Sequence, residues 1–263
     1  MLQQLERHRA ELAAQYQSSA RPVRYCHLDD LLPAAAFEQF ALALPALSEM
    51  TRLRSLGERK FVSAALDKLA EPLRNLVKAF TDPRVVAAVA PILGVPALTH
   101  DESYYNGGLT IMAPSDYMRP HLDNSHDKSG KRPRRVVMLY YLSPIWRDGY
   151  GGNLGVWQDL ASARVEHIEY RPNRLVLLET SEKSWHSIDS VLGPYPRANL
   201  TTYLYDPAVS DQPPRLTRFK AWPREPLHEL ALNAQFQARS LAARLGLQRF
   251  RRNPHIYAGN KGP

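Results

Sequence analysis

Residues 134–143 read RRVVMLYYLS, a run dense in β-branched, aromatic and other apolar side chains. Such a run is typical of a β-strand. Successive side chains of a strand point to opposite faces, so Val137, Leu139 and Tyr141 share one face and the residues between them share the other. We expect the face that carries Tyr141 to point into the interior of a β core.

Comparable runs lie on both sides of this strand, separated by clusters of Gly, Pro, Asn and Asp. They are YYNGGLTIM (104–112), GGNLGVWQ (151–158), RVEHIEY (164–170), NRLVLLET (173–180) and ANLTTYLY (198–205). Many short strands at fairly regular spacing indicate a β-sandwich or β-barrel.

The first hundred residues are predicted to be mostly helical, with one short strand at residues 24–28. Apolar side chains recur at helical spacing, or follow a helix-start residue, in residues 2–17, 29–44, 64–80 and 81–94. A last helix is predicted over residues 227–246, ended by Gly246. The fold class is therefore α+β with a mainly β core. No linker separates these parts, so we interpret residues 1–263 as one domain with a helical flank (1–100), a β core (about 101–206) and a C-terminal helical segment (207–263).

The composition is that of an ordinary water-soluble protein, with 44% hydrophobic and 23% charged residues. A single cysteine, Cys26, rules out an internal disulfide and suits a reducing cytoplasm. No apolar run is long enough for a membrane span, and no signal peptide is recognisable. We therefore expect a cytoplasmic protein, whose oligomeric state the sequence leaves open.

The formal net charge is +8, and part of the excess lies in KSGKRPRR (128–135) and in the tail 247–263. Neither segment is a long basic block with interleaved aromatic residues, so a nucleic-acid partner is not favoured. A solvated basic face is the simpler interpretation. A second hypothesis is that the basic loop attracts an acidic substrate.

The segment PHLDN (120–124) carries the most informative side chains. His121 and Asp123 are two residues apart, so on an extended segment they point to the same side. This spacing arises often by chance, and a polar surface turn would explain it equally well. A metal site becomes the better interpretation with a third ligand on a distant strand, and His186, which follows an apolar strand and a polar turn, is the candidate. Two histidines and one carboxylate on one face of an octahedron suit the iron(II) of an oxygenase, because three positions stay open for a bidentate co-substrate and O₂.

A keto-acid co-substrate would also need a cation for its far carboxylate. Arg197 begins the strand RANLTTYLY, across the turn that follows His186, and a guanidinium can bind a carboxylate through two parallel hydrogen bonds. The hydroxyl of Tyr141 could bind the same carboxylate. The alternatives are that Arg197 is a surface residue and that Tyr141 is a core residue with no role in binding.

By these segments the chain resembles the 2-oxoglutarate oxygenases of the prolyl-hydroxylase type. The matching segments occur in the family's order: YMRPHLDN, VVMLYYLSPIW, GYGGNLGVW and NRLVLLETSEKSWHSI, followed by Arg197. The resemblance implies a double-stranded β-helix (jelly-roll or cupin-like) core, with Fe(II) bound by His121, Asp123 and His186. It also implies a salt bridge from Arg197 to the C5 carboxylate of 2-oxoglutarate, supported by a hydrogen bond from Tyr141.

Two departures from the family pattern concern the substrate more than the chemistry. Pro120 adds a residue between Arg119 and His121. A tyrosine often found upstream of the metal motif is replaced by Met112, or is shifted to Tyr104 or Tyr105.

The expected reaction is hydroxylation of an unactivated C–H bond, with release of succinate and CO₂. The substrate could be a protein residue, an amino acid, a natural-product intermediate, or a sugar or lipid precursor. Candidate pocket residues are Asn106, Arg119, Asn124, Trp146 and Asn199. The alternatives are a non-catalytic β-barrel module that binds nucleic acid through its basic surface, and an oxygenase that demethylates nucleic acid.

Overall fold

The strands are arranged in two sheets within the part of the chain that the computed structural model describes, residues 1–19, 22–63 and 66–245. In chain order they are β1 (Tyr25–Leu28), β2 (Thr51–Arg54), β3 (Arg59–Val62), β4 (Thr99–His100), β5 (Gly108–Met112), β6 (Met118–Leu122), β7 (Arg134–Tyr141), β8 (Leu154–Asp159), β9 (Arg164–Ile168), β10 (Leu175–Glu179), β11 (His186–Ile188), β12 (Arg197–Tyr205) and β13 (Arg218–Phe219).

The α-helices precede and follow most of these strands. They are α1 (Leu2–Arg7), α2 (Arg9–Ser18), α3 (Ala34–Leu42), α4 (Glu71–Phe80), α5 (Pro83–Leu93) and α6 (Pro226–Arg244). The helices predicted at 2–17, 29–44, 64–80 and 81–94 all occur, the last three with shorter bounds. The N-terminal one is divided at His8, and the one at 64–80 begins only at Glu71, with Pro72 in its first turn.

Every strand pair in the two sheets is antiparallel. The larger sheet has the order β1-β10-β7-β12-β5-β3-β2, with β4 also paired to β12, and the smaller sheet has the order β13-β6-β11-β8-β9. The α+β class with a mainly β core is thus confirmed.

An apolar cluster fills part of the interior between the two sheets. Val137, Leu139 and Tyr141 of β7 pack there with smaller-sheet residues such as Leu154 and Ile188. This is the face of RRVVMLYYLS that the alternation assigned to the interior. Burial of such side chains supplies most of the driving force that holds the sheets together.

The opposite face of the larger sheet is covered by helices. Tyr140 of β7 lies with its ring centroid 5.4 Å from that of Phe80 in α4, inside a cluster that also contains residues of α1, α2 and α5. Helix α5 has capping residues at both ends. The Asp82 side chain accepts a hydrogen bond from the Arg84 backbone N–H, and Gly94 takes the left-handed conformation at the C-terminus.

The hairpin β2–β3 lies between the helices predicted at 29–44 and 64–80, where the sequence predicted no strand. TRLR and RKFV are too charged to stand out as strands, yet β3 pairs with β5 and extends the larger sheet. Residues 1–100 therefore contribute strands as well as helices. The interpretation of residues 1–263 as one domain stays a prediction. The predicted helix end at Gly246 and the basic tail 247–263 lie outside the described residues, and none of the described helices is long and apolar enough to cross a membrane.

The turn before β10 is held to the N-terminal part of the chain by the side chain of Asn173. Its amide donates to the Leu32 carbonyl (2.7 Å), while its oxygen accepts from the Leu32 N–H (3.0 Å) and the Tyr140 hydroxyl (2.6 Å). Asn173 is buried and has a φ of 61°, a conformation that asparagine tolerates better than most residues.

We therefore expect Asn173→Ala to lower the free energy of unfolding by about 2–4 kcal/mol, because three buried hydrogen bonds are lost and their partners stay buried. Urea denaturation followed by circular dichroism measures the change. Asn233→Ala, on the outer helix α6, is the matched control and should change stability little. Equal stability of the two variants would contradict this role of Asn173.

Candidate metal and co-substrate site

The three predicted metal ligands meet on the smaller sheet. His121 lies in β6, Asp123 follows directly after that strand, and His186 is the first residue of β11. Strands β6 and β11 are neighbours, and His121 and His186 are register partners across the pair. Their ring centroids are 4.1 Å apart.

The potential ligand atoms of this cluster converge. Nε2 of His121 lies 3.8 Å from Oδ1 of Asp123, and Nε2 of His186 lies 3.9 Å from Oδ2 of the same carboxylate. One ligand atom from each of the three residues lies within 4.8 Å of the other two. No second group of three or more His, Cys, Asp or Glu side chains with this property occurs among the described residues.

Both imidazoles are held so that Nε2 faces the cluster. Nδ1 of His121 is 2.9 Å from the Arg119 carbonyl, and Nδ1 of His186 is 2.9 Å from the Ser184 carbonyl. A carbonyl accepts only, so each Nδ1 carries the proton and each Nε2 presents a lone pair. Metal-binding histidines usually have such a partner on the second ring nitrogen.

The protonation states also suit a cation. Burial lowers the pKa of His121 to about 3, with a further contribution from His186. Burial by itself would raise the pKa of Asp123, but His186, Arg134 and His121 together hold it below the usual value. At neutral pH the site therefore offers a neutral His121 imidazole and an ionised carboxylate, as metal ligation requires.

Arg197 is almost fully buried at the start of β12. Its Nε donates to the Gly152 carbonyl (2.7 Å) and its Nη1 to Oδ1 of Asn199 (2.7 Å). Its Nη2 has no hydrogen-bond partner among the described residues. A buried, unpartnered guanidinium nitrogen is costly unless an anion binds it.

Two tyrosine rings flank the Arg197 guanidinium. Its central carbon lies 4.9 Å from the ring centroid of Tyr141 and 4.8 Å from that of Tyr170, and the two rings stack on each other at 4.4 Å. The Tyr141 hydroxyl makes no hydrogen bond within the described residues. Burial raises the pKa of this hydroxyl, and the charge of Arg197 opposes the rise. One donor nitrogen and one hydroxyl are thus left for an acidic group.

Residues 107–205 match the profile of the 2OG-Fe(II) oxygenase superfamily. The matched segment runs from β5 to β12 and contains His121, Asp123, His186 and Arg197. The predicted cofactors, Fe(II) and 2-oxoglutarate, are those of the superfamily, and the chain is an enzyme. The alternative of a non-catalytic binding module is therefore set aside.

Solved structures with low sequence identity share the fold of this oxygenase. A prolyl hydroxylase from Trichoplax adhaerens, in complex with a hypoxia inducible factor peptide fragment, has a TM-score of 0.56 and 17% identity, covering 78% of this chain and 92% of that one. A prolyl-4-hydroxylase from Pseudomonas putida has a TM-score of 0.55 and 18% identity, covering 76% of this chain and 98% of that one. These neighbours confirm the double-stranded β-helix core. A search of curated protein sequences gave no significant match.

The metal cluster and Arg197 open into one cavity of about 460 Å³ in the oxygenase. Its walls include apolar residues of both sheets, namely Met112, Val137, Leu139, Leu154 and Ile188. Polar and charged residues line it as well; these are Ser55, Glu58, Lys60, Tyr105, Asn106, Thr110, Asn124, Asn199, Thr201, Tyr203, Thr217, Gln235 and Arg239.

Three of the five candidate pocket residues line this cavity: Asn106, Asn124 and Asn199. The other two do not. Arg119 forms a salt bridge with Glu225 and bonds the Leu56 carbonyl, and Trp146 packs against Tyr150 and Tyr170.

Of the three candidates for the family's upstream tyrosine position, two line the cavity and one does not. Met112 lines the cavity as the register partner of Arg197. Tyr105 also lines it, and its hydroxyl accepts a hydrogen bond from the Asn124 side-chain amide (3.1 Å). Tyr104 lies outside this cavity and packs against the core under the helices.

Several residues of the oxygenase site carry no signal in the sequence. Lys60 and Glu58 lie in or next to the unpredicted strand β3, and Gln235 and Arg239 lie in α6, far from the matched segments. Helix periodicity places Gln235 and Arg239 on one face but does not say that this face meets the cavity.

We expect Gly152→Ala to weaken 2-oxoglutarate binding by on the order of 10-fold, since an arginine–carboxylate hydrogen bond contributes about 1.5–3 kcal/mol. A Cβ on Gly152 would lie 2.9 Å from Cδ of Arg197 and 3.0 Å from Cζ2 of Trp146, so the arginine must move. The affinity is measured by titrating 2-oxoglutarate into the Fe(II)-loaded protein without oxygen.

Gly149→Ala is the matched control. Gly149 has a φ of +84° against +63° for Gly152, but no atom lies within 4 Å of its Cβ position. Gly149→Ala therefore shows how much of the change in 2-oxoglutarate affinity is due to backbone strain without a steric clash. Equal 2-oxoglutarate affinities in the two variants would contradict the proposed contact.

Proposed function

We propose that this chain hydroxylates an unactivated C–H bond of a small-molecule or peptide substrate, using Fe(II) bound by His121, Asp123 and His186. One observation carries the proposal: a buried cluster of two imidazoles and a carboxylate shares a cavity with a guanidinium that has an unpartnered nitrogen. When bound, Fe(II) and 2-oxoglutarate supply the oxidising chemistry, consuming O₂ and releasing succinate and CO₂.

The residues around the metal ligands position the co-substrate. In this proposal Arg197 binds the C5 carboxylate of 2-oxoglutarate through Nη2, and the Tyr141 hydroxyl donates a second hydrogen bond. The bonds from Nε and Nη1 of Arg197 to Gly152 and Asn199 hold the guanidinium in place before the co-substrate arrives. A pre-organised cation loses little conformational entropy on binding.

The apolar walls of the cavity keep water away from the reacting atoms. Val137, Leu139 and Leu154 are buried between the two sheets, and their side chains offer no hydrogen bonds to water. Exclusion of water strengthens the interaction of Arg197 with a carboxylate.

We propose further that the substrate carries an anionic group and that Arg239 binds it. Of the other cations lining the cavity, Lys60 is paired with Glu58 (2.9 Å) and Arg197 is assigned to the co-substrate. Arg239 has no ion pair among the described residues, and residues 246–263 contain no Asp or Glu. A peptide with an acidic side chain is one such substrate, and the Trichoplax adhaerens neighbour was solved with a peptide.

The hypothesis that the basic run 128–135 attracts an acidic substrate stays a prediction. None of its residues lines the cavity, and Arg135 is paired with Asp206 at the surface. Arg134 is buried. We also propose a cytoplasmic location, which the single buried thiol of Cys26 supports.

Anaerobic addition of Fe(II) and 2-oxoglutarate to the metal-free protein should produce the weak visible charge-transfer band of the chelated keto acid. His121→Ala should abolish the band, because one of three ligands is lost. Arg197→Met should require about 10–100-fold more 2-oxoglutarate, as expected from one charged hydrogen-bonded contact.

Arg135→Met is the control for loss of an arginine, since this exposed residue is paired with Asp206 at the surface. It should behave as the unaltered protein does. A folded wild-type protein that gives no band would refute the proposed assignment of the metal and co-substrate residues.

Arg239→Gln should raise the KM for a carboxylate-bearing substrate about 10-fold with little change in kcat, because the contact lies away from the reacting atoms. Succinate release is measured with pairs of peptides or amino acids that differ only by a carboxylate or a carboxamide. Arg135→Gln is the matched control. An unchanged KM for every carboxylate substrate that is turned over would exclude the role of Arg239.

A further inference from the structure

A second buried arginine lies beside the metal cluster. Arg134 begins β7, and its side chain has no solvent exposure. All three of its guanidinium nitrogens lack a hydrogen-bond partner among the described residues. The basic run KSGKRPRR predicts a solvated position for this residue, and its burial in the structure corrects that interpretation. The register explains the correction, because Arg134 is the partner of the buried Tyr205 on β12.

A buried guanidinium needs compensation for the water it has lost. Within the described residues the carboxylate within 4 Å of Arg134 is that of Asp123, whose Oδ2 lies 3.8 Å from Nη1. Further compensation comes from aromatic faces, since the guanidinium carbon lies 3.5 Å from the ring centroid of Tyr203 and 5.7 Å from that of Tyr205.

The carboxylate of Asp123 is therefore flanked on two sides. Its Oδ2 lies 3.9 Å from Nε2 of His186 and 3.8 Å from Nη1 of Arg134, while Oδ1 lies 3.8 Å from Nε2 of His121. The imidazoles and the guanidinium together restrict rotation of the carboxylate. Partners of this kind commonly orient the residues that bind a metal.

Arg134 is not placed to bind a substrate. It does not line the cavity, whereas Tyr203 does, and the ring of Tyr203 covers the guanidinium. A ligand in the cavity would have to displace this ring to reach Arg134. The geometry thus assigns Arg134 to Asp123.

We propose that Arg134 is a positioning residue that holds the Asp123 carboxylate in the orientation in which it faces the two imidazoles. The inference rests on the proposed function, because it takes Asp123 as a ligand. Without Arg134 the carboxylate is free to rotate and to bind the metal through both oxygens, which changes the coordination number. Arg134 also acts as the counter-ion of Asp123 in the metal-free protein.

The first test uses Co(II) alone, because the intensity of its visible bands depends on coordination number. Arg134→Met should change the band intensity at saturating Co(II), and Arg134→Lys should restore it in part by returning the charge. Arg135→Met is the matched control and should leave the spectrum unchanged. Identical spectra for the wild type and a folded Arg134→Met variant would overturn the proposal.

The second test is a double-mutant cycle on the metal-free protein. Arg134→Met and Asp123→Asn should each lower Tm by on the order of 10 °C, since each leaves one buried charge unpaired. The double variant should lose no more than the less stable single variant, because no unpaired charge remains. Additive losses would refute the pairing.

The two tests separate this inference from the proposed function. A wild-type protein that binds no Co(II) refutes the metal site, while the cycle still decides whether Arg134 and Asp123 interact. If Arg134→Met does not fold, the polar and uncharged Arg134→Gln serves in its place. An Arg134→Gln variant with an unaltered spectrum and additive losses of Tm would then overturn the proposal.

Discussion

The antiparallel pairing of β6 with β11 is the constraint on which the site depends. It places His121 opposite His186, although the two residues are far apart in the sequence. The carboxylate of Asp123, directly after β6, completes the cluster. Each imidazole is fixed by a backbone carbonyl two residues before it, so the strand backbone itself selects the ring nitrogen that faces inward. Rigid strands hold such a geometry better than loops do.

Balance of buried charge is the second feature of the site. Asp123 lies beside one buried guanidinium, that of Arg134, while Arg197 has no carboxylate partner among the described residues. Arg197 is instead held by a carbonyl and an amide oxygen and by two tyrosine rings. A buried cation with an unpaired hydrogen-bond donor favours an acidic co-substrate. Binding of the co-substrate offsets the desolvation penalty that the cation already has in the free protein.

The outer part of the cavity comes from segments that flank the β core. The hairpin β2–β3 contributes Glu58 and Lys60, strand β13 contributes Phe219, and α6 contributes Gln235 and Arg239. The candidate metal ligands and Arg197 therefore lie within the segment matched to the superfamily, while part of the cavity wall lies outside it. Segments added around a rigid scaffold are where specificity is usually found.

The sequence alone predicts the α+β class, the interior face of β7 and the cluster of His121, Asp123 and His186, because each rests on a local period or on an ordered set of motifs. It does not predict the hairpin β2–β3 or the contacts of α6 with the cavity, since these depend on packing between distant segments. Arg134 shows the limit most clearly. Its charged neighbours in KSGKRPRR indicate solvent, but its register opposite Tyr205 and its distance from Asp123 decide that it is buried. Local composition reports the average preference of a segment for water, whereas the face to which a single side chain points is decided by strand pairing in the folded protein.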